Sequence, residues 1–142
     1  MVTLLGNGYL TYNGGGGSGI QTVFDGDAMN FIINVGITDL NTKMALNDLC
    51  VDLKYHDIWN QCLAIYPFVG GTASTHKFNL KNPRNTDAAY RLTFSGTWVH
   101  SSTGALPNGS TAYATTFVNA LSSMTYNNNH LSYYSRTISA NS

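Results

Sequence analysis

Charge is what this chain has least of. Charged residues make up 10% of its 142 residues, where roughly 25% is usual for a soluble domain, and seven Lys+Arg balance seven Asp+Glu to a formal net charge of zero. A balanced, weakly charged surface offers no broad field to the phosphate backbone of nucleic acid or to an anionic membrane, so neither partner is expected. Long hydrophobic runs are missing as well. Stretches such as Phe31 to Val35 fall far short of the ~18 to 20 apolar residues of a membrane span, so no membrane insertion is expected. The N-terminus carries no basic stretch followed by an apolar core, so no secretory signal is expected either. There are two cysteines, Cys50 and Cys62, which could in principle form one bridge. Cys50, however, falls on the apolar stripe of a predicted helix and reads as a small buried hydrophobe.

What is present is apolar, aromatic and neutral-polar. Hydrophobic residues reach 43% and aromatics 12%, and Asn, Thr and Ser recur throughout. A compact chain of this size buries roughly two-thirds of its unfolded surface, enough for a real core. The aromatic content and low charge argue against disorder. A near-neutral surface is prone to self-association, so neighbours in an assembly are expected.

Three regions follow from the patterning. Residues 1–24 read as an extended arm, strand-like at Tyr9 to Tyr12 and Ile20 to Phe24, with a glycine-rich hinge at 14–19. Residues 25–59 read as a short helical hairpin. Asp25-Gly26-Asp27 provides an acidic N-cap for Ala28, Phe31, Ile32 and Val35 at helical spacing, and Gly36 provides the stop. Thr38 or Asp39 caps a second helix to about Tyr55, with Leu46, Leu49, Cys50 and Leu53 on its buried stripe, after which Ile58 and Trp59 return to the core. Residues 60–142 read as β-rich and sandwich-like. Strands are expected at Leu63 to Val69, around Phe78 and Leu80, from Tyr90 to Phe94, at Trp98-Val99 and from His130 to Thr137. Turns at Asn82 to Asn85, Ser95-Gly96 and Leu106 to Ser110 separate them. The expected class is α+β: arm, helical hairpin, then an antiparallel sandwich-like, partial jelly-roll region.

Catalytic chemistry finds little footing. His56, His76, His100 and His130 show no i, i+4 spacing and no Cys/His cluster, leaving only a metal site assembled from distant strands. No Gly-x-Ser-x-Gly elbow is present. Neither the run Gly14 to Gly19 nor Gly70 to Lys77 has the form of a phosphate loop. The carboxylates beyond the hairpin's body, Asp57 and Asp87, are not brought together by sequence as a glycosidase requires, and Asp87 reads as a turn residue pairing with Arg84 or Arg91. No catalytic residue, metal or other cofactor is expected. Sugar binding is a subtler option, since exposed rings stack on a pyranose while amides hydrogen-bond it. The candidate contacts are Trp98, Tyr113 and Tyr126 as rings and Asn108 and Asn128 as amides, with core packing the competing role for Trp98 and Tyr133.

Ala64-Ile65-Tyr66-Pro67-Phe68-Val69-Gly70-Gly71-Thr72, followed by His76 to Arg84, resembles the opening half of a laminin-G-like (concanavalin-type) sandwich domain of bacteriophage virion and tail-fibre proteins. The likeness continues through Asp87 to Leu92, Trp98 to Gly104, Pro107 to Ser110 and His130 to Thr137, and the preceding hairpin is similar to the usual lead-in. This resemblance implies a virion structural protein of fibre, tail or head-decoration type, located in the phage particle. Its partners would be copies of itself and other virion proteins, and a host-attachment module binding surface glycan is the alternative. The familiar arrangement continues with further strands beyond Tyr-Ser-Arg-Thr, whereas this sequence ends at Ser142. Either the chain is a piece of a longer protein or neighbouring subunits complete the sheet by strand addition.

Overall fold

The computed structural model describes residues 2–4, 9–12 and 21–136 of the chain. The hinge expected at 14–19 lies outside the described residues. Strands β1 (Val2–Leu4), β2 (Tyr9–Tyr12) and β3 (Gln21–Val23) pair antiparallel in the order β1-β2-β3, with Val2 opposite Tyr12 and Tyr9 opposite Val23.

The helical hairpin forms as expected. Helix α1 (Gly26–Val35) begins at Asp25, whose carboxylate accepts from the backbone N–H groups of Asp27 and Ala28 at 3.0 and 3.3 Å. It ends at Gly36, left-handed at φ 77°, with the Ile37 N–H returning to the Ile32 carbonyl. Helix α2 (Leu40–Tyr55) is capped by Asp39, which accepts from Thr42 N–H and hydroxyl at 2.8 Å each. Its far end closes without glycine. Asp57 takes the left-handed position at φ 57°, and the N–H groups of Asp57 and Ile58 return to the carbonyls of Lys54 and Leu53. This is a Schellman closure with aspartate where glycine usually stands.

The core gathers on this hairpin. Phe24, Ala28, Met29, Phe31, Ile32, Ile37, Leu46, Cys50 and Trp59 bury against Phe78 and Leu80, with Leu49, Leu53, Ile65 and Val69 partly buried around them. Cys50 is a fully buried free thiol, and burial pushes it up to about 12. Cys62 is free too. Trp59 returns to the core as expected, whereas Ile58 is 45% exposed.

Beyond the hairpin the chain is β-rich in parts, but with fewer strands than the sequence predicts. Two small antiparallel sheets form: β4 (Thr93–Ser95) with β7 (Tyr113–Thr115), and β5 (Trp98–Ser101) with β6 (Gly104–Pro107). The expected strand at Leu63 to Val69 is absent. Ile65 makes strand-like bonds, its N–H to Asn79 Oδ1 at 3.0 Å and its carbonyl to Leu80 N–H at 2.7 Å, but a buried side chain has taken a strand's place. Pro67 brings no donor, and Phe68 turns to φ 52°, which ends extension. Around Phe78 and Leu80 only a single bridge, Asn79 to Asn82, replaces the expected strand. Short helices occupy further loops, α3 (Ala73–His76) and α4 (Ala120–Ser123).

The expected strand from His130 is also absent through Arg136, the last residue described there. The segment is extended in pattern only, because among the described residues no strand lies beside it. Every residue from Met124 to Arg136 is exposed. Tyr133, read as a core aromatic, is 85% exposed for the same reason. At the coarse level the fold is the mixed one expected, helices first and small antiparallel sheets after.

Candidate functional site

Trp98 and His100 alternate on one face of β5, half-buried, while Val99 and Ser101 point to solvent. The Trp98 ring meets Phe94 edge-on at 5.2 Å and stacks over His100 at 6.2 Å, and its indole N–H donates to the Ser95 carbonyl at 2.9 Å. Ser95 pairs across the sheet with Tyr113, which is 61% exposed. Asn108 closes the same corner. Its N–H donates to the Thr97 carbonyl, its Oδ1 accepts from the N–H groups of Ser110, Thr111 and Ala112, and its Nδ2 donates to the Thr111 hydroxyl at 2.8 Å.

Three of the five expected contact residues, Trp98, Tyr113 and Asn108, are thus brought to one corner of the β region. Their offers differ. Tyr113 presents a free face, Trp98 has its polar handle engaged, and the Asn108 carboxamide organises its own loop. Tyr126 and Asn128 sit on a separate tight turn, where Thr125 bridges Asn128 and the Thr125 hydroxyl donates to the Asn128 carbonyl at 2.9 Å. Tyr126, at its tip, is 98% exposed.

Behind Trp98 lies an arrangement that the individual histidines did not reveal. His76 at the end of α3 and His100 on β5 meet with their Nδ1 atoms 2.9 Å apart. Phe68 packs edge-on to His76 at 5.5 Å, and Phe94 packs edge-on to His100 at 4.7 Å. His76 is wholly buried, and among the described residues its Nε2 has no hydrogen-bond partner. Placing the proton on His76 Nδ1, donated to His100, leaves that orphan atom as a bare lone pair rather than a stranded N–H, the less costly choice. Burial first, and the neighbouring His100 second, push His76 down to about 4. The available signal was the alternation of Trp98 and His100 along β5; nothing in the sequence pointed from them to His76.

Beside this cluster a cleft of about 340 Å³ opens between the α1–α2 junction and the loop before α3, lined by Ile37, Thr38, Asp39, Val69, Thr75 and Ser102 among others. Its carboxylate, Asp39, is committed to capping α2, and the Thr42 N–H and hydroxyl hold it below its ordinary range. Among the described residues no three His, Cys, Asp or Glu side chains come together in a form that would hold a metal ion. The Asp87 carboxylate pairs with Arg91 at 2.8 Å, one of the two partners expected for it. No described helix is long and apolar enough to cross a membrane.

The last described stretch of the chain exposes apolar side chains. No Asp, Glu, Lys or Arg occurs between Arg91 and Arg136. Within that stretch Leu121, Tyr126, Leu131, Tyr133 and Tyr134 are each 85–98% exposed. Compared with known proteins, the chain matches no family model, no curated protein and no solved structure.

Proposed function

We propose that this chain is a non-enzymatic structural component of a bacteriophage virion, of fibre, tail or head-decoration type, that works by assembling with copies of itself and with other virion proteins. The observation that carries the assembly role is the charge-free stretch after Arg91, in which Leu121, Tyr126, Leu131, Tyr133 and Tyr134 stand almost wholly in solvent. Large apolar side chains left in solvent are the material of interaction sites in soluble proteins, and this short stretch carries several of them. The virion context comes from the laminin-G-like motifs, and on this reading the two small sheets are part of a sandwich that neighbouring subunits complete. The test is sedimentation of particles from the phage that encodes the chain, followed by detection with an antibody to it. The chain is expected in the particle band at a fixed ratio to the major virion protein; recovery only in the particle-free supernatant overturns the reading.

A second reading, glycan binding for host attachment, is favoured by one feature, the gathering of exposed Tyr113 beside Trp98. A glycan array is expected to show a signal that Tyr113→Ala abolishes; an array at background removes this reading.

A further inference from the structure

Resting on the self-assembly reading, one segment and one edge can be matched. Residues 129–136 carry a strand-like alternation, Leu131 and Tyr133 two apart, yet form no strand. Leu131, Tyr133 and Tyr134 stand 89%, 85% and 87% exposed. The Arg136 guanidinium donates to the Thr103 carbonyl at the β5–β6 turn, so the end of the segment lies at that turn within its own chain. Strand β7, meanwhile, pairs on one side with β4, and among the described residues no strand pairs with its other edge. Natural sheet edges are usually guarded by lysine, proline or an inward charge. Tyr113-Ala114-Thr115 has none of these, and the nearest charged side chains in sequence are Arg91 and Arg136.

We infer that residues 129–136 add as a strand to the open edge of β7 in a second copy of this chain. Donor and acceptor occur on the same polypeptide, so one exchange between two copies satisfies both, in the manner of a self-complementary interface. Charge raises no objection, because neither surface carries any short of Arg136. The area is adequate too. Tyr133 and Tyr134 on the donor and Tyr113 on the acceptor, at about 150–250 Å² each, together with Leu131, approach the roughly 800 Å² per partner of a stable interface.

The test uses the full chain and two variants at exposed positions. A donor variant carries Leu131→Asp and Tyr133→Asp; an acceptor variant carries Tyr113→Lys and Thr115→Lys. Light scattering on the unaltered chain is expected to show a dimer or larger closed oligomer. Each variant alone should associate roughly a hundredfold more weakly, with far-ultraviolet circular dichroism and tryptophan emission unchanged. Mixed one to one, the variants should regain a mixed dimer by native mass spectrometry, because the acceptor variant still donates and the donor variant still accepts. A monomeric unaltered chain, a donor variant that associates normally, or a mixture that stays monomeric each overturns the inference. A chain monomeric in isolation that still bands with particles overturns the strand exchange while leaving the virion reading standing, so the two failures are distinct.

Discussion

His76 sets the chain's response to acid. In the unfolded chain its imidazole protonates near 6.5, and in the fold burial holds it neutral down to about 4. The unfolded state therefore binds the proton first, so this group's contribution to stability is complete above pH 6.5, declines as pH falls through that value, and is fully lost near pH 4. The span is worth about 3 kcal/mol at most. Urea midpoints measured at pH 7 and pH 4.5 should differ accordingly, and His76→Gln, which cannot protonate, should nearly abolish the difference. An unchanged gap in that variant would place the acid sensitivity elsewhere. Gly96 is a position where backbone alone excludes a side chain. It sits at φ 75°, and a Cβ there would lie 2.6 Å from the Thr111 carbonyl oxygen and 2.9 Å from Ala112 Cα, both backbone. Gly96→Ala should cost more than the roughly 1–2 kcal/mol of a left-handed alanine alone. Gly36→Ala, with nothing within 4 Å, should cost only that conformational share, and thermal denaturation of the two side by side checks the order.

At the scale of elements, the helical hairpin is tied at both ends by side chains that the sequence displayed and by one that it disguised. Asp25 was legible as a cap because an oxygen-bearing residue stood before an apolar helical stripe. Its second role was not, since Lys54 is 29 residues away and only the hairpin brings its Nζ within 2.8 Å of Asp25 and 2.6 Å of Asp27. Burial alone would raise the Asp25 carboxyl, but the Lys54 bond and the Ala28 and Asp27 N–H groups outweigh it and hold it below its ordinary 3.8. Asp25→Ala should cost about 1–2 kcal/mol, mostly as a lost cap. Lys54→Met, at a partly exposed pair, should cost less than about 1 kcal/mol. Chemical denaturation at neutral pH separates the two. The stop of α2 escaped reading because Asp57 does a glycine's work. Asp57→Gly should therefore stabilise the chain by about 0.5–1 kcal/mol, read as a raised melting temperature. The strand expected at Leu63 to Val69 failed for a related reason: an apolar run specifies burial, while the element depends on who supplies the hydrogen bonds. Here Asn79, buried with its Nδ2 on the Ala89 carbonyl, supplies one of them from a side chain.

Across the whole molecule the buried and exposed apolar residues are divided along the sequence. Every buried hydrophobic side chain among the described residues falls between Phe24 and Leu92, whereas the rings and leucines from Leu121 to Tyr134 face solvent. Composition made the total apolar content legible but not this division, because a leucine in a core and a leucine in an interface have the same letter. The folded state of a single chain thus draws its hydrophobic stabilisation from the hairpin and the segments packed on it, and the last described stretch contributes little. Two outcomes follow for a protease that cuts after aromatic residues and leucine. In dilute solution chymotrypsin should cut rapidly at Tyr126, Leu131, Tyr133 or Tyr134 and leave a resistant fragment containing residues 24–92, whose unfolding temperature stays within a few degrees of the intact chain's. At concentrations where copies associate, Leu131, Tyr133 and Tyr134 should be protected, since strand addition would bury them between subunits, while Tyr126 stays open to cutting. Cutting at those three residues at equal rates in both regimes would mean that the exposed stretch takes no part in association, whereas loss of the resistant fragment on cutting would mean that it supports the core after all.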